Sequence, residues 1–205
     1  MKTSAKYLAI GAALLLPATA QAQMAPPSST ETADAVTAPD GSDAFGFEPY
    51  VAVMGGYFNY DRDTTNIGIP NRIDGRNREG ALVEGIVGAN IPLGAVFVGV
   101  EGNVAKGVDG SIDWQYGVTG RAGFRAGESG LIYARAGYEW VNFTDDAVTG
   151  GRDYGNEVYG IGFEAGPRDI GLAGLTGETG ARLRFDVTTS NFNSFRPMAG
   201  VVFHF

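Results

Sequence analysis

The charged side chains inside otherwise apolar stretches of the chain lie at positions that alternate with apolar residues. In the stretch from Gln115 to Phe124, for example, Arg121 lies on one side of the alternation. Ala122 and Phe124, two residues apart, lie on the other side. Successive side chains of a β-strand point to opposite faces, so this spacing gathers the charges on one face. Nine acids and bases follow the rule: Glu84, Glu101, Arg121, Arg135, Glu139, Glu164, Arg182, Arg184 and Asp186. Because buried charges are costly unless paired, they predict an interior network of ion pairs.

Residue types suited to catalysis or metal binding are scarce. The chain has one histidine, His204, and no cysteine. It therefore offers no paired-histidine metal site, no thiolate site and no disulfide. The Gly160-Ile161-Gly162 pattern lies inside a predicted strand and opens no helix, so it does not indicate a nucleotide loop. We expect a protein that is not an enzyme and uses no cofactor, with His204 facing inward from a strand.

The first 22 residues are typical of a secretory signal peptide. Lys2 and Lys6 precede the apolar run from Leu8 to Leu16, and Ala20-Gln21-Ala22 forms a small-x-small cleavage site. The apolar run is too short to cross a bilayer as a helix. The sequence therefore predicts an exported protein with a signal peptide at 1–22.

The remainder divides into a linker and one domain. Residues 23–44 are rich in proline, serine and aspartate, which predicts a disordered periplasmic linker. Residues 45–205 are rich in glycine and consist of short alternating segments separated by turn residues, an all-β pattern. The formal net charge of the chain is -8, which argues against a nucleic-acid partner.

The alternation predicts eight strands of a length that suits a tilted crossing of the hydrocarbon layer. Their predicted bounds are Pro49–Asn59, Ala81–Ile91, Val96–Ala105, Ile112–Arg125, Leu131–Phe143, Glu157–Ala165, Glu178–Val187 and Phe195–Phe205. The links are long, short, medium, short, long, medium and medium, and the sixth is longer than a tight periplasmic turn. This order predicts an eight-stranded antiparallel up-and-down transmembrane β-barrel, with long external loops and short periplasmic turns.

Three features favour lipid rather than water around this barrel. One face of the strands is uniformly apolar and carries almost no charge. The opposite, charged face is rich in glycine, which suits a crowded interior. Six aromatic residues lie near strand ends, where interfacial girdles belong: Tyr57, Trp114, Tyr116, Tyr138, Trp140 and Phe205. Only a closed barrel would satisfy every backbone group of such strands in lipid.

The chain ends on an alternating strand with an aromatic last residue. Gly200, Phe203 and Phe205 form a pattern that resembles the C-terminal signal presented by bacterial outer-membrane barrels to their assembly machinery. The spacing predicts a closing strand whose rings lie at the lipid interface.

Further segments, in order along the chain, resemble the opacity-protein or OmpA-like family of small eight-stranded outer-membrane barrels. They are the nine residues from Pro49 to Tyr57, Phe97–Asn103, Gly120–Phe124 and Tyr133–Tyr138. The resemblance implies the cell outer membrane of a Gram-negative bacterium and a role as a surface antigen, an adhesin or an integrity factor. In barrels of this kind a glutamate of the third strand forms an interior ion pair, and Glu101 matches that place.

The long first loop, from Asp61 to Glu79, is the candidate for an external contact. Its four arginines are suited to lipopolysaccharide phosphates or an unidentified host or surface ligand: Arg62, Arg72, Arg76 and Arg78. Four acids share the loop, so a solvated mixed-charge loop is the alternative.

We therefore predict a non-enzymatic outer-membrane barrel with a charge-plugged interior and a surface-antigen or envelope-integrity role. A gate in place of the permanent plug would instead make it a small low-conductance porin. A soluble periplasmic barrel that binds an apolar ligand is the third interpretation.

Overall fold

The structure, a computed structural model, describes residues 47–61, 64, 67–69, 79–126, 130–144, 151–166 and 181–205. The predicted signal peptide at 1–22, the predicted linker at 23–44 and the four loop arginines Arg62, Arg72, Arg76 and Arg78 lie outside these residues. Within the described ranges, no helix has the length and apolar character needed to span a membrane.

The chain folds into eight strands. They are β1 (Glu48–Tyr60), β2 (Glu79–Leu93), β3 (Val96–Gly107), β4 (Ile112–Ala126), β5 (Gly130–Phe143), β6 (Tyr154–Ala165), β7 (Ala181–Ser190) and β8 (Ser194–His204). Each strand pairs antiparallel with the next, and β8 pairs with β1, so the sheet closes on itself. The predicted eight-stranded up-and-down barrel is thus confirmed.

Strand β7 and its link to β8 differ from the prediction. The strand was expected from Glu178 to Val187, whereas it runs from Ala181 to Ser190, and 178–180 lie outside the described residues. The prediction ended at the last large apolar side chain, but the small polar residues beyond it continue the pairing. The link is then only three residues long, with Asn191 at φ 44° and Phe192 at φ 60°. Asparagine tolerates this left-handed conformation, which allows the tight turn.

The strands are staggered around the barrel. Paired residues lead from Tyr50 through the successive strands to Ser190 of β7. Extending the β7–β8 register by one step reaches Ser194, which pairs with Tyr60 of β1, a stagger of ten residues. Such a shear tilts the strands and leaves an eight-stranded barrel just wide enough for side chains to fill. The interior is therefore a packed core, and its side chains decide what the barrel can do.

We call the two ends of the barrel the loop end and the turn end. The loop end carries the β1–β2, β3–β4, β5–β6 and β7–β8 links, and the turn end carries the other three links, the start of β1 and the end of β8. The inward-facing side chains form a largely apolar layer at the loop end and an ionic layer through the middle and the turn end.

Candidate functional site

The ionic layer contains all nine charged residues that alternation placed on one face. Each of the nine is at most 3% exposed. Arg196 of β8, which was not among them, joins the layer at 4% exposed. Five carboxylates of this set accompany its five guanidinium groups. The buried Glu48 of β1 adds a sixth carboxylate and pairs with the half-buried Arg125, so the formal charges balance. Pairing with opposite charges offsets the desolvation cost of so many buried charged groups.

Glu101 of β3 lies at the centre of this layer. Its carboxylate accepts hydrogen bonds from Arg184 Nη2 at 2.9 and 3.1 Å, and it lies 3.1 Å from Arg135 Nη1. The hydroxyls of Tyr50 and Thr119 donate to it at 2.8 and 3.1 Å. This one carboxylate thus links β3 to β1, β4, β5 and β7 across the lumen. Its removal would leave two or more guanidinium groups without their main counter-charge.

Asp186 and Glu139 extend the layer on either side of Arg135. Asp186 accepts from Arg184 at 2.9 Å and from Arg135 at 3.2 Å, and the hydroxyl of Tyr133 also donates to it. Glu139 accepts from Arg196 Nη2 at 2.8 Å. Arg135 and Arg184 each bridge Glu101 of β3 and Asp186 of β7, which ties the wall of the barrel together from within.

Glu164 of β6 anchors the turn end of the layer. Arg121 Nη1 donates to its Oε1 at 2.8 Å, and His204 Nε2 lies 2.7 Å from its Oε2. His204 thus faces inward, as the alternation predicts, and its side chain contacts a carboxylate rather than a nucleophile. The geometry gives this histidine a structural partner within the ionic layer.

Glu84 of β2 differs from the other interior acids. Asn103 Nδ2 donates to its Oε1 at 2.6 Å, and no arginine in the described part of the chain lies within 4.0 Å of it. Glu84 therefore belongs to the layer through a neutral amide, and its charge is balanced only at longer range.

Arg121 is also held by aromatic faces. Its guanidinium carbon lies 4.2 Å from the ring centroid of Tyr50, 4.9 Å from that of Tyr133 and 5.5 Å from that of Phe97. A cation–π contact contributes about 2 kcal/mol or more when its groups are desolvated. The aromatic residues thus fix the position of a charged group while filling the narrow lumen.

Glycines make room for these rings. A Cβ at Gly88 would lie 2.3 Å from the Tyr50 hydroxyl oxygen, and one at Gly162 would lie 2.0 Å from Asp186 Oδ1. Both positions face inward, opposite a side chain that binds in the ionic layer. The glycine-rich inner face that the sequence shows is therefore a steric requirement of the network at these two positions.

Alternation alone missed the neutral members of the network. Its uncharged hydrogen-bonding residues are Tyr50, Asn90, Asn103, Gln115, Thr119, Tyr133 and Thr188. All lie at inward positions of the same two-residue period, so the sequence pattern did indicate their orientation. Their roles depend on the stagger between strands, which a single sequence does not specify.

The loop end of the interior is closed by apolar side chains, which the sequence analysis did not predict. Phe58, Tyr60, Phe143 and Tyr154 form a chain of ring contacts with centroids 5.7 to 6.3 Å apart. Part of the first loop folds back onto them: Ile69 is 2% exposed, and the Thr64 hydroxyl donates to its carbonyl oxygen at 3.0 Å. We call these residues, with Ile67, the apolar cap. It covers the ionic layer from the loop end.

The outer face is the reverse of the inner one. Exposed valines, isoleucines, leucines and aromatic rings cover the middle of all eight strands. Among the strand residues, charges outside the lumen lie at the loop end, at Glu79, Lys106, Asp113 and Glu157. Of the predicted girdle, Tyr57, Trp114, Tyr116, Tyr138 and Trp140 lie towards the loop end and Phe205 at the turn end.

The barrel has an apolar belt outside and an ionic interior, the reverse of the arrangement in a water-soluble barrel. Large contiguous apolar surfaces are rare on proteins surrounded by water, and closed barrels with such belts and aromatic girdles cross membranes. The chain is thus a small eight-stranded transmembrane β-barrel.

Comparisons with known proteins add detail. No protein-family model and no curated protein matches the sequence. Among solved structures, the chain is similar to Neisserial surface protein A, with 14% identity, coverage of 78% of this chain and 97% of that one, and a TM-score of 0.48. It is also similar to Ail, the attachment invasion locus protein of Yersinia pestis, solved with the heparin analogue sucrose octasulfate (12%, 78% and 97%, TM-score 0.40). A de novo designed transmembrane β-barrel matches at 12% identity, 78% and 96% coverage and a TM-score of 0.43.

These likenesses are too distant to carry an argument about function or family. Membership of the opacity-protein or OmpA-like family stays a prediction from the sequence motifs.

Proposed function

We propose that the chain is a non-enzymatic protein of a Gram-negative outer membrane, with a surface-antigen or envelope-integrity role and an interior closed by paired charges. The observation that carries the proposal is the combination of an apolar outer belt with a buried layer of carboxylates and guanidinium groups inside. The belt suits lipid, and the paired interior suits a permanent plug.

The ionic layer supports a closed barrel over a small porin. Side chains from β1, β3, β4, β5 and β7 meet at Glu101 across the lumen, with contacts of 2.8 to 3.1 Å. An open path would require several of these contacts to separate together, which leaves buried charges unpaired. The apolar cap adds a second obstruction at the loop end.

The same interior argues against a soluble barrel that binds an apolar ligand. An apolar ligand needs a cavity lined by apolar side chains. Inside this barrel the middle and the turn end are occupied by charged groups, and the apolar side chains of the cap already pack against one another.

Two partners follow from the proposal. Phe203 and Phe205 are 45% and 64% exposed on the outer face at the turn end, which suits the predicted contact with the barrel assembly machinery. Gly200 lies inward on the same strand. Lipopolysaccharide is the proposed partner of Arg62, Arg72, Arg76 and Arg78.

Membrane insertion is tested by tryptophan fluorescence, because Trp114 and Trp140 are the only two tryptophans of the chain. Both lie near the loop end, where a girdle meets the lipid headgroups. In refolded barrels we expect phospholipids brominated near the headgroup to quench this fluorescence more strongly than lipids brominated near the chain ends.

Aqueous acrylamide provides the control for water exposure. Strong quenching by acrylamide with none by brominated lipid would contradict the membrane-spanning barrel and favour the soluble one.

A further inference from the structure

The turn end of the interior holds a guanidinium group without a hydrogen-bond acceptor. Arg182 of β7 is 3% exposed, and neither of its terminal nitrogens has a hydrogen-bond partner in the described part of the chain. Its Nη1 lies 3.6 Å from Glu164 Oε2, which gives attraction but is too long for a hydrogen bond. A buried guanidinium in this state is energetically costly.

The carboxylates nearby already have other partners. Glu164 accepts from Arg121 through Oε1, and its Oε2 lies 2.7 Å from His204 Nε2. Glu48, the other carboxylate among the described residues of this end, pairs with Arg125. Within the described part of the turn end, Arg182 is therefore a surplus positive charge.

Unpartnered atoms elsewhere show the same imbalance. Arg121 Nη2, Arg125 Nε and Arg184 Nη1 are further donor atoms near the turn end without partners among the described residues. The unpartnered amide oxygens, Asn103 Oδ1 and Gln115 Oε1, lie towards the loop end, and the unpartnered ring nitrogen at the turn end is His204 Nδ1. Among the described residues, the unpartnered groups of the turn end are thus mostly guanidinium donors.

We propose that the turn end of the barrel interior is a binding site for a small inorganic oxyanion, with Arg182 as its principal ligand. A planar guanidinium presents its donors in a fork that matches the paired oxygens of sulfate or phosphate. Arg182 is the second residue of β7, so it lies at the turn end of the interior. The site faces the lumen rather than lipid, so its ligand is a free anion and not a lipid headgroup.

Anomalous diffraction tests the site directly. The barrel is refolded in a maltoside detergent, which carries no phosphate, and crystallised with sodium selenate as the probe. We expect a selenium peak within hydrogen-bonding distance of the Arg182 terminal nitrogens, and no such peak in Arg182→Gln crystals. Absence of the peak, or a Glu48 carboxylate bound to Arg182 in its place, would overturn the proposal.

Thermal unfolding in sodium sulfate gives a test in solution. A bound anion stabilises the folded state, and near-saturation we expect the melting temperature to rise by about 3 °C and then level off. Arg182→Gln should lose this saturable rise in melting temperature. Lys106→Gln, which removes an exposed cation at the loop end, should retain it.

Sulfate also stabilises folded proteins by exclusion from their surface, an effect that does not saturate. An identical, non-saturating rise in all three proteins would contradict the proposal. If Arg182→Gln fails to fold, Arg182→Lys replaces it, with weaker binding expected because lysine lacks the planar fork.

Discussion

At the scale of single residues, Glu101 holds the ionic layer together. Arg184 and Arg135 bind it from two strands, and Tyr50 and Thr119 donate to it from two others. Removal of one partner from a buried ion pair typically costs about 3–5 kcal/mol, because the remaining charge is left uncompensated. The stability of the barrel should therefore depend strongly on this one carboxylate.

We predict that Glu101→Ala lowers the free energy of unfolding by about 3–5 kcal/mol, measured by urea unfolding in lipid vesicles. Val100→Ala is the matched control, since Val100 is the preceding residue and is 55% exposed on the outer face. Equal midpoints for Glu101→Ala, Val100→Ala and the unmodified chain would show that the ion pairs do not stabilise the barrel.

A pair of glycines tests the steric account of the inner face. A methyl group at Gly162 would meet Asp186 Oδ1 at 2.0 Å and the Tyr133 hydroxyl oxygen at 2.6 Å, whereas at Gly85 the nearest atom is the Val104 carbonyl oxygen at 4.0 Å. We expect Gly162→Ala to destabilise the barrel by about 1–3 kcal/mol through overpacking and Gly85→Ala to change its stability little. The same urea titration measures both, and equal losses would contradict the assignment of the two faces.

At the scale of the strands, β8 closes the barrel by pairing with both β1 and β7. Phe205 follows its last residue, and its backbone N–H donates to the Pro49 carbonyl oxygen at 3.0 Å. This terminal contact fixes the start of β1 against the end of β8, and the exposed Phe205 ring lies where the assembly machinery is proposed to bind.

Deletion of Phe205 should reduce the amount of folded protein in the outer membrane several-fold, because the assembly contact and the last backbone bond are lost together. The fraction of protein that keeps its folded gel mobility without boiling provides the measurement. The deletion variant refolded in detergent serves as the control for intrinsic folding. Normal accumulation of the truncated chain in the outer membrane would contradict a role of Phe205 in assembly.

Much of this element-scale order follows from the sequence. A two-residue period places Arg121, Arg135 and Glu139 inward without knowledge of any partner, because the pleat alone decides the face. Which acid meets which base depends on the stagger of the strands, and the sequence does not encode it locally. The contact between Glu101 and Arg184, 83 positions apart, is an example.

The apolar cap was missed for a related reason. Ile67 and Ile69 lie in a segment rich in polar residues, so the local pattern indicates a solvated loop. Their burial follows from the apolar rings at the mouth of the closed barrel, which come from several strands. A tertiary contact of this kind appears only when the barrel is assembled.

At the scale of the whole molecule, the barrel has two obstructions in series along its axis. The apolar cap covers the loop end, and the ionic layer fills the middle and the turn end. Either would hinder an ion, since the rings and isoleucines of the cap are apolar and the ion pairs of the layer would have to separate. The molecule is therefore expected to stabilise or mark the membrane rather than to conduct.

Single-channel conductance of the refolded chain in a planar bilayer tests this closed interior most directly. We predict a silent barrel, with insertion verified in parallel by the gel mobility of the unboiled protein. Glu101→Ala, which breaks the centre of the ionic layer, is expected to raise the leak current if it remains folded. Discrete and reproducible current steps from the unmodified barrel would contradict the closed interior and establish the small porin instead.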